Sequence, residues 1–281
     1  MSARYRTISF LSDYGTEDEF VGVVKSVIRG IAPDATVVDL THGIPPHDLR
    51  AGALALARCV QYVDSGVVLA VVDPGVGTAR RAVAIEVAGG EGVFVGPDNG
   101  LLASAVAMTG GAERAVSLTD IAYHLPSPGP TFAGRDVFGP VAAHLAAGVP
   151  LDALGELVDL NTLLPGILPL NKRDGDRLIC EVLWVDRYGN AQLNVDADEL
   201  ADLGDRVIVR SGDVTRAAVP AATYGAIPGG QVGLVVDSYG LASVCLDRQS
   251  ASLELGLHAG AEVVLEAGGT TTTGVSLGRR P

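Results

Sequence analysis

Cysteine, histidine and positive charge are all scarce in this chain. The three cysteines, Cys59, Cys180 and Cys245, are far apart and odd in number. They form neither a disulfide framework nor a zinc spacing, so each reads as a small buried hydrophobe in a reducing compartment. The histidines at 42, 47, 124, 144 and 258 are scattered, with no pair at zinc spacing. No run approaches the ~18 apolar residues of a membrane span. The stretch Arg4 to Phe10 has no signal-peptide core. A soluble, cytoplasmic protein without membrane contact is therefore expected. Lys and Arg number 20 against 33 Asp and Glu, for a net charge of −13. That balance argues against nucleic acid as a partner and is compatible with a cationic small ligand. No phosphate-binding loop and no G-x-S-x-G nucleophile elbow occur. Gly75-Val76-Gly77 lacks the third glycine and following helix of a dinucleotide fingerprint, which argues against NAD.

What is present is a folded chain of 281 residues, 48% apolar and 19% charged. It has length for one large or two smaller domains. From Ile8 to about Ala147, apolar β-branched runs alternate with helical ones. Strands are expected at Ile8–Ser12, Thr36–Leu40, Val67–Ala70, Ala82–Val87, Gly92–Val95 and Glu113–Leu118. Helices are expected from Glu17 to Arg29, from an Asp48 cap to Gln61, and over Leu101–Met108 and Val137–Ala147. Acidic residues Glu17 to Glu19 suit a first helical turn. This order predicts an α/β domain with a central, mostly parallel sheet over residues 1–164. A polar stretch with Pro165 and Pro169 reads as a linker over 165–176. Short β runs and glycine turns follow, predicting a smaller antiparallel β-barrel-like domain over 177–267. Residues 268–281, with four consecutive threonines, read as a disordered tail.

Three of the first domain's strands end in aspartate: Asp13, Asp73 and Asp98. Open α/β sheets bind ligands at the carboxyl ends of their strands. If these strands are neighbours, the carboxylates converge on one crevice. Asp13 there can accept both hydroxyl hydrogens of a ribose; an Asx-turn is the alternative. Asp73 and Arg80 lie seven residues apart across a glycine turn, placed to pair and to hold a water. A surface salt bridge is the alternative. In the second domain, Asp186-Arg187-Tyr188-Gly189-Asn190 offers an aromatic face and an amide for an adenine ring, or a plain hairpin turn. Asp237-Ser238-Tyr239-Gly240 offers polar groups for a charged ligand end, or another turn.

Taken in order, these motifs resemble the S-adenosyl-L-methionine (SAM) hydroxide adenosyltransferase family, related in fold to the SAM-dependent fluorinase and chlorinase. The resemblance rests on Phe10-Leu11-Ser12-Asp13-Tyr14-Gly15, Asp39-Leu40-Thr41-His42, Val72-Asp73-Pro74-Gly75-Val76-Gly77-Thr78, Pro97-Asp98-Asn99-Gly100-Leu101, Thr131-Phe132-Ala133-Gly134-Arg135-Asp136 and the stretch at Asp186. It implies a seven-stranded α/β domain, a small barrel, and a homotrimer that binds SAM between subunits. The implied reaction is SAM plus water giving adenosine and L-methionine, by attack on the ribose C5′. SAM is then the substrate, and no metal or cofactor is implied, because a sulfonium is already a good leaving group.

Position by position, Asp73 and Arg80 match two members of the family's Asp–Arg–His set that handles the water. The third falls in a Phe-His-Gly-Arg-Asp motif, which here reads Phe132-Ala133-Gly134-Arg135-Asp136. Alanine has no polar atom to hold or deprotonate water, so impaired activity is expected, or binding of SAM or adenosine without turnover. His124, nine residues upstream, is a candidate substitute. Asp13 matches the ribose-diol aspartate. Tyr188 and Asn190 match the adenine side, with Arg248 and Ser250 near it. Asp186 and Ser238 match groups that hold the methionine amino and carboxylate ends, and Asp18 is a further candidate there. His47 falls where the halogenases carry tryptophan. Asp73 puts a negative charge where they carry tyrosine, which disfavours a halide nucleophile.

Overall fold

A computed structural model describes residues 4–166 and 168–268. It divides into two compact units, Met1–Leu168 and Pro169–Pro281. The tail expected to be disordered lies outside the described residues except for Gly268.

In the first unit, β1 (Thr7–Ser12), α1 (Phe20–Ile31), β2 (Thr36–Thr41), α2 (Leu49–Val60) and β3 (Val67–Val71) follow one another. After them come β4 (Ala82–Val87), β5 (Gly92–Pro97), α3 (Ala103–Met108) and β6 (Arg114–Ser117). A π-helical turn, Gly134–Phe138, runs into α4 (Gly139–Ala146), and β7 (Glu156–Leu157) closes the unit. The seven strands lie in the order β2-β1-β3-β5-β4-β6-β7. The run β2-β1-β3-β5 is parallel, and β4, β6 and β7 add antiparallel pairings at one side.

β3 is buried at every position, as a Val-Val-Leu-Ala-Val run with helices on both faces demands. On one face α1, the π-turn and α4 pack Val24, Ile28, Phe138 and Val141 against Phe10 and Leu69. On the other, α2 and α3 pack Leu56, Ala105 and Val106, with Leu101 and Leu102 just before α3, against Leu11 and Phe94. Each such side chain contributes roughly 1.5–3 kcal/mol when fully buried. The order reverses at β1, whose two neighbours are β2 and β3. Such a switch point leaves a crevice at the strands' carboxyl ends.

In the second unit, β8 (Lys172–Asp174), β9 (Arg177–Val185), β10 (Ala191–Asp196), α5 (Ala197–Ala201) and β11 (Val207–Ser211) come first. Next are β12 (Val214–Pro220), β13 (Val232–Val236), β14 (Leu241–Cys245), α6 (Ala251–Leu255) and β15 (Glu262–Ala267). Seven of these strands close a barrel, β9-β10-β14-β13-β12-β11-β15 and back to β9. Leu178, Val182, Leu193, Val207, Val244 and Leu265 fill it. One pairing, β12 with β13, is parallel, so the barrel is not wholly antiparallel.

Three sequence expectations need correction. α1 begins at Phe20 rather than in the acidic run, and the N-cap Glu19 makes no side-chain cap bond. Residues 17–19 belong instead to a loop that brings Asp18 to the crevice. The expected linker is partly structured, because Lys172–Asp174 pairs with β9. The helix expected from Val137 starts earlier, as the π-turn built from the Gly134-Arg135-Asp136 motif itself. A π-turn is a common feature of functional sites.

Candidate active site

The crevice between β1 and β3 opens into a cavity of about 330 Å³, walled by Asp13, Asp18, Asp73, Phe132 and Ala133 among others. Asp13 follows β1, and its backbone N–H donates to the carbonyl of Val71 at 3.3 Å. Its Oδ2 accepts the backbone N–H of His47 at 2.9 Å, so one carboxylate oxygen is already engaged. His47 adopts φ 68°, a left-handed conformation that turns its amide toward Asp13. Asp73 stands two residues beyond β3. Its Oδ2 accepts from Arg80 at 2.5 Å, and the side chains are 6% and 13% exposed. A pair this buried is unlike the surface salt bridge left open by the sequence.

The pair is incompletely satisfied. Asp73 Oδ1 and Arg80 Nε are both buried with no hydrogen-bond partner. Arg80 spends Nη1 on the carbonyl of Arg81 at 2.9 Å, and its guanidinium lies 5.3 Å from the centroid of Phe138. Burial pushes the Asp73 carboxyl above the usual aspartate value, against the pull of Arg80 and the Gly75 amide, and the Asp13 charge adds to the rise. Buried polar atoms are almost always paired in native proteins. An orphaned carboxylate oxygen beside a cavity is therefore a place for a water or a ligand group.

Aromatic rings form the apolar wall. Tyr14 and Phe20 pack around Phe132, with centroids 5.6 and 5.0 Å from it. Burial, with the nearby Asp13 and Asp73 charges, raises the Tyr14 phenol well above its ordinary value and keeps it neutral. A Cβ on Gly134 would lie 2.2 Å from the Tyr14 hydroxyl, so the motif needs glycine there. Ala133 immediately precedes that turn and lines the cavity with only a methyl group.

Asp98 does not join the other two aspartates. Its Oδ2 accepts from Arg81 Nε at 2.9 Å, and its Oδ1 accepts the N–H of Leu164 at 2.9 Å. Arg81, left without a role by the sequence, also donates to Thr162. The convergence expected of three strand ends thus holds for Asp13 and Asp73, while Asp98 anchors the chain at residues 162–164.

The second unit holds its own cavity, about 610 Å³, lined by Asp186, Tyr188, Asn190, Tyr224, Arg248 and Ser250 among others. Both carboxylate oxygens of Asp186 accept from its own turn. Its Oδ1 takes the N–H groups of Tyr188 and Asn190 at 2.9 and 2.8 Å, and Oδ2 takes the Asn190 side-chain amide at 2.8 Å. Ser250 caps α6 by accepting from Leu253 N–H at 3.1 Å. Gly189 sits at φ 85°, and a Cβ there would come 2.1 Å from Ser250 Oγ. The tyrosine ring at 188 stands 79% exposed. Arg248 adopts φ 54° on the loop before α6. Ser238 is exposed on the β13–β14 turn and does not line this cavity.

A family model described as the SAM hydroxide adenosyltransferase N-terminal domain matches residues 8–155, and the model of the corresponding C-terminal domain matches 180–264. The chain belongs to the SAM hydroxide adenosyltransferase family. Within this family, a protein of Salinispora tropica named (R)-S-adenosyl-L-methionine hydrolase is 42% identical over 261 residues, 93% of this chain and 98% of that one. One of the same name from Thermus thermophilus is 43% identical over 272 residues, 92% and 99% of the two chains. The crystal structure of an uncharacterized conserved protein from Thermotoga maritima superposes with a TM-score of 0.85 at 32% identity, covering 92% of this chain and 99% of that one.

Some of this family member's cavity walls escaped the sequence reading. Phe20, Val76 and Pro46 line the first cavity, and Tyr224 the second. None carries a pattern that sets it apart from a core or turn residue. Only the path of the chain brings them to the sites. Among the described residues, no group of three or more His, Cys, Asp or Glu is placed to hold a metal ion, and no helix is long and apolar enough to cross a membrane.

Proposed function

We propose that this enzyme hydrolyses SAM to adenosine and L-methionine by attack of water on the ribose C5′. The observation that carries the reading is the buried Asp73 Oδ1, unpartnered and set beside the cavity that also holds Asp13. A water bound there donates to Asp73 and keeps a lone pair for carbon. As the C5′–O bond forms, the C5′–S bond breaks, its electron pair returns to sulfur, and neutral methionine thioether leaves. Arg80 neutralises the carboxylate without occupying Oδ1. The protein's contribution is alignment and exclusion of bulk water.

Recognition divides between the cavities. Asp13 takes the ribose hydroxyls with the carboxylate oxygen that His47 leaves open. Asp18, with Asp13 and Asp73, gives the first cavity a negative field that suits a sulfonium or ammonium. Tyr188 stacks on adenine, and Asn190, Arg248 and Ser250 bound the ring. Asp186 holds the turn that presents them, and Ser238 addresses the methionine end. We further propose a homotrimer in which neighbouring subunits share each SAM. Its support is that the groups for the whole ligand are split between two cavities, one on each unit.

Ala133 favours a second reading, a SAM-binding protein without turnover, because it offers the water no polar atom. A halide nucleophile is disfavoured by the charge on Asp73, beside which dehydrating an anion is costly. Incubation with SAM, chloride present and absent, decides among the three by chromatography. Adenosine and methionine are expected from the wild-type chain, and about 10²-fold faster from Ala133→His, the ordinary contribution of a positioned base. Binding of SAM with no adenosine from either protein removes the hydrolase reading. Formation of 5′-chloro-5′-deoxyadenosine replaces it with a halogenase.

A further inference from the structure

His124 is a half-buried imidazole to which the mechanism above gives no role. Its Nε2 is buried without a hydrogen-bond partner. The ring lines a second cavity of the first unit, about 660 Å³, together with Arg80, Ser127, Ala133 and Asp136. Ala133 also walls the 330 Å³ cavity that holds Asp13 and Asp73. Ala133 therefore borders both cavities. The His124 loop is held to the same motif, since Leu125 N–H donates to the carbonyl of Asp136 at 2.8 Å. On the other side Tyr123 packs edge-on against His144 at 5.1 Å.

We propose that His124 is the final acceptor of the attacking water's proton, reached through water in the 660 Å³ cavity and past the methyl of Ala133. The proposal rests on the hydrolase reading. Water gives its oxygen to C5′, the sulfonium carbon–sulfur electron pair goes to methionine, and the released proton passes along the water chain to Nε2 and then to solvent. Asp120, on its own stretch, is the charge that acts on the ring, while Arg80 and Arg81 from the segment before β4 and Asp136 from the π-turn line the same cavity. Arg81 is paired with Asp98, Asp136 with Arg135, and Arg80 with Asp73. Burial lowers the imidazole below its ordinary value, with Asp120 opposing, so the ring is neutral and able to accept a proton at neutral pH.

The test is steady-state release of adenosine from SAM by four full-length chains: wild type, His124→Gln, Ala133→His and the double variant. Glutamine keeps polarity and size but cannot take a proton. His124→Gln is expected to lower kcat about 10²-fold with KM unchanged, and to remove the acidic limb of the pH profile that histidine supplies. The double variant is expected to regain turnover, which also establishes that the glutamine chain folds. A His124→Gln enzyme with wild-type kcat and pH profile overturns the proposal. So does a wild-type chain inactive until Ala133→His is made, an outcome that leaves the hydrolase reading standing. Absence of adenosine from all four chains, with SAM bound, removes both.

Discussion

Asp73 and Asp186 each follow a strand and each border a cavity, but their oxygens are spent differently. Asp186 accepts three hydrogen bonds from its own turn and has become part of the backbone's architecture. Asp73 accepts one strong bond from Arg80 and keeps Oδ1 buried and unpaired. A satisfied carboxylate fixes a shape. An unsatisfied one stores a demand that a water or ligand meets. Under the proposed function the first unit carries the chemistry and shares recognition with the second, and that division can be broken in several places.

The largest effect is expected at Asp73. Asp73→Asn removes the charged acceptor and is expected to cut kcat by about 10²–10⁴-fold, the range for a positioned base, with little change in KM. In the wild type the carboxylate must be ionised to accept from water. Burial lifts its pKa above the ordinary 3.8, so activity is expected to fall, as pH drops, at a higher pH than an exposed aspartate would give. The stability effect has the opposite sign. A raised folded-state value favours the protonated form, so this group's contribution is complete below 3.8 and is lost as pH rises through the folded value. Denaturation curves across that window, with and without Asp73→Asn, measure it.

Asp186→Ala is expected to act on the other side of the comparison. Three donors lose their acceptor, at roughly 1–3 kcal/mol in all if the turn partly relaxes. The expected reading is a KM for SAM raised about 10–100-fold with kcat largely kept. A fall in kcat at constant KM would place chemistry in the second unit and end the division drawn above.

Smaller effects sharpen the packing argument. Gly134→Ala drives a methyl into the Tyr14 hydroxyl and is expected to cost about 1–3 kcal/mol, read as a lower denaturation midpoint. Tyr14→Phe in the same chain is expected to recover part of that loss. Smallest is Ser250→Ala, which deletes the α6 cap for about 1 kcal/mol and leaves kcat alone.

The strand and helix order of the first unit was readable because its runs are strongly apolar and separated by turn residues. Asp13 and Asp73 were readable as a pair for the same reason: parallel strands in an open sheet send their carboxyl ends to one side. Asp98 was misplaced by the same logic. Arg80 and Arg81 are adjacent, and successive side chains on extended backbone point to opposite sides. One therefore reaches Asp73 and the other Asp98. Nothing in the local sequence says which aspartate each arginine takes. In the second unit, β15 and β8 went unread; β8, an added strand beside β9, is three residues long, too short for an alternating pattern to register.

Sequence alone determined the α/β-then-β organisation, the family motifs and the alanine at position 133, since these depend on residue type and order. Tertiary structure decided the rest. It buried the Asp73–Arg80 pair and left Oδ1 orphaned, separated Asp98 from its expected partners, and put Ala133 on the wall of two cavities, one of which His124 also lines. Those facts depend on which atoms lose water when distant segments meet. Desolvation is a property of the packed molecule, and no window of sequence carries it.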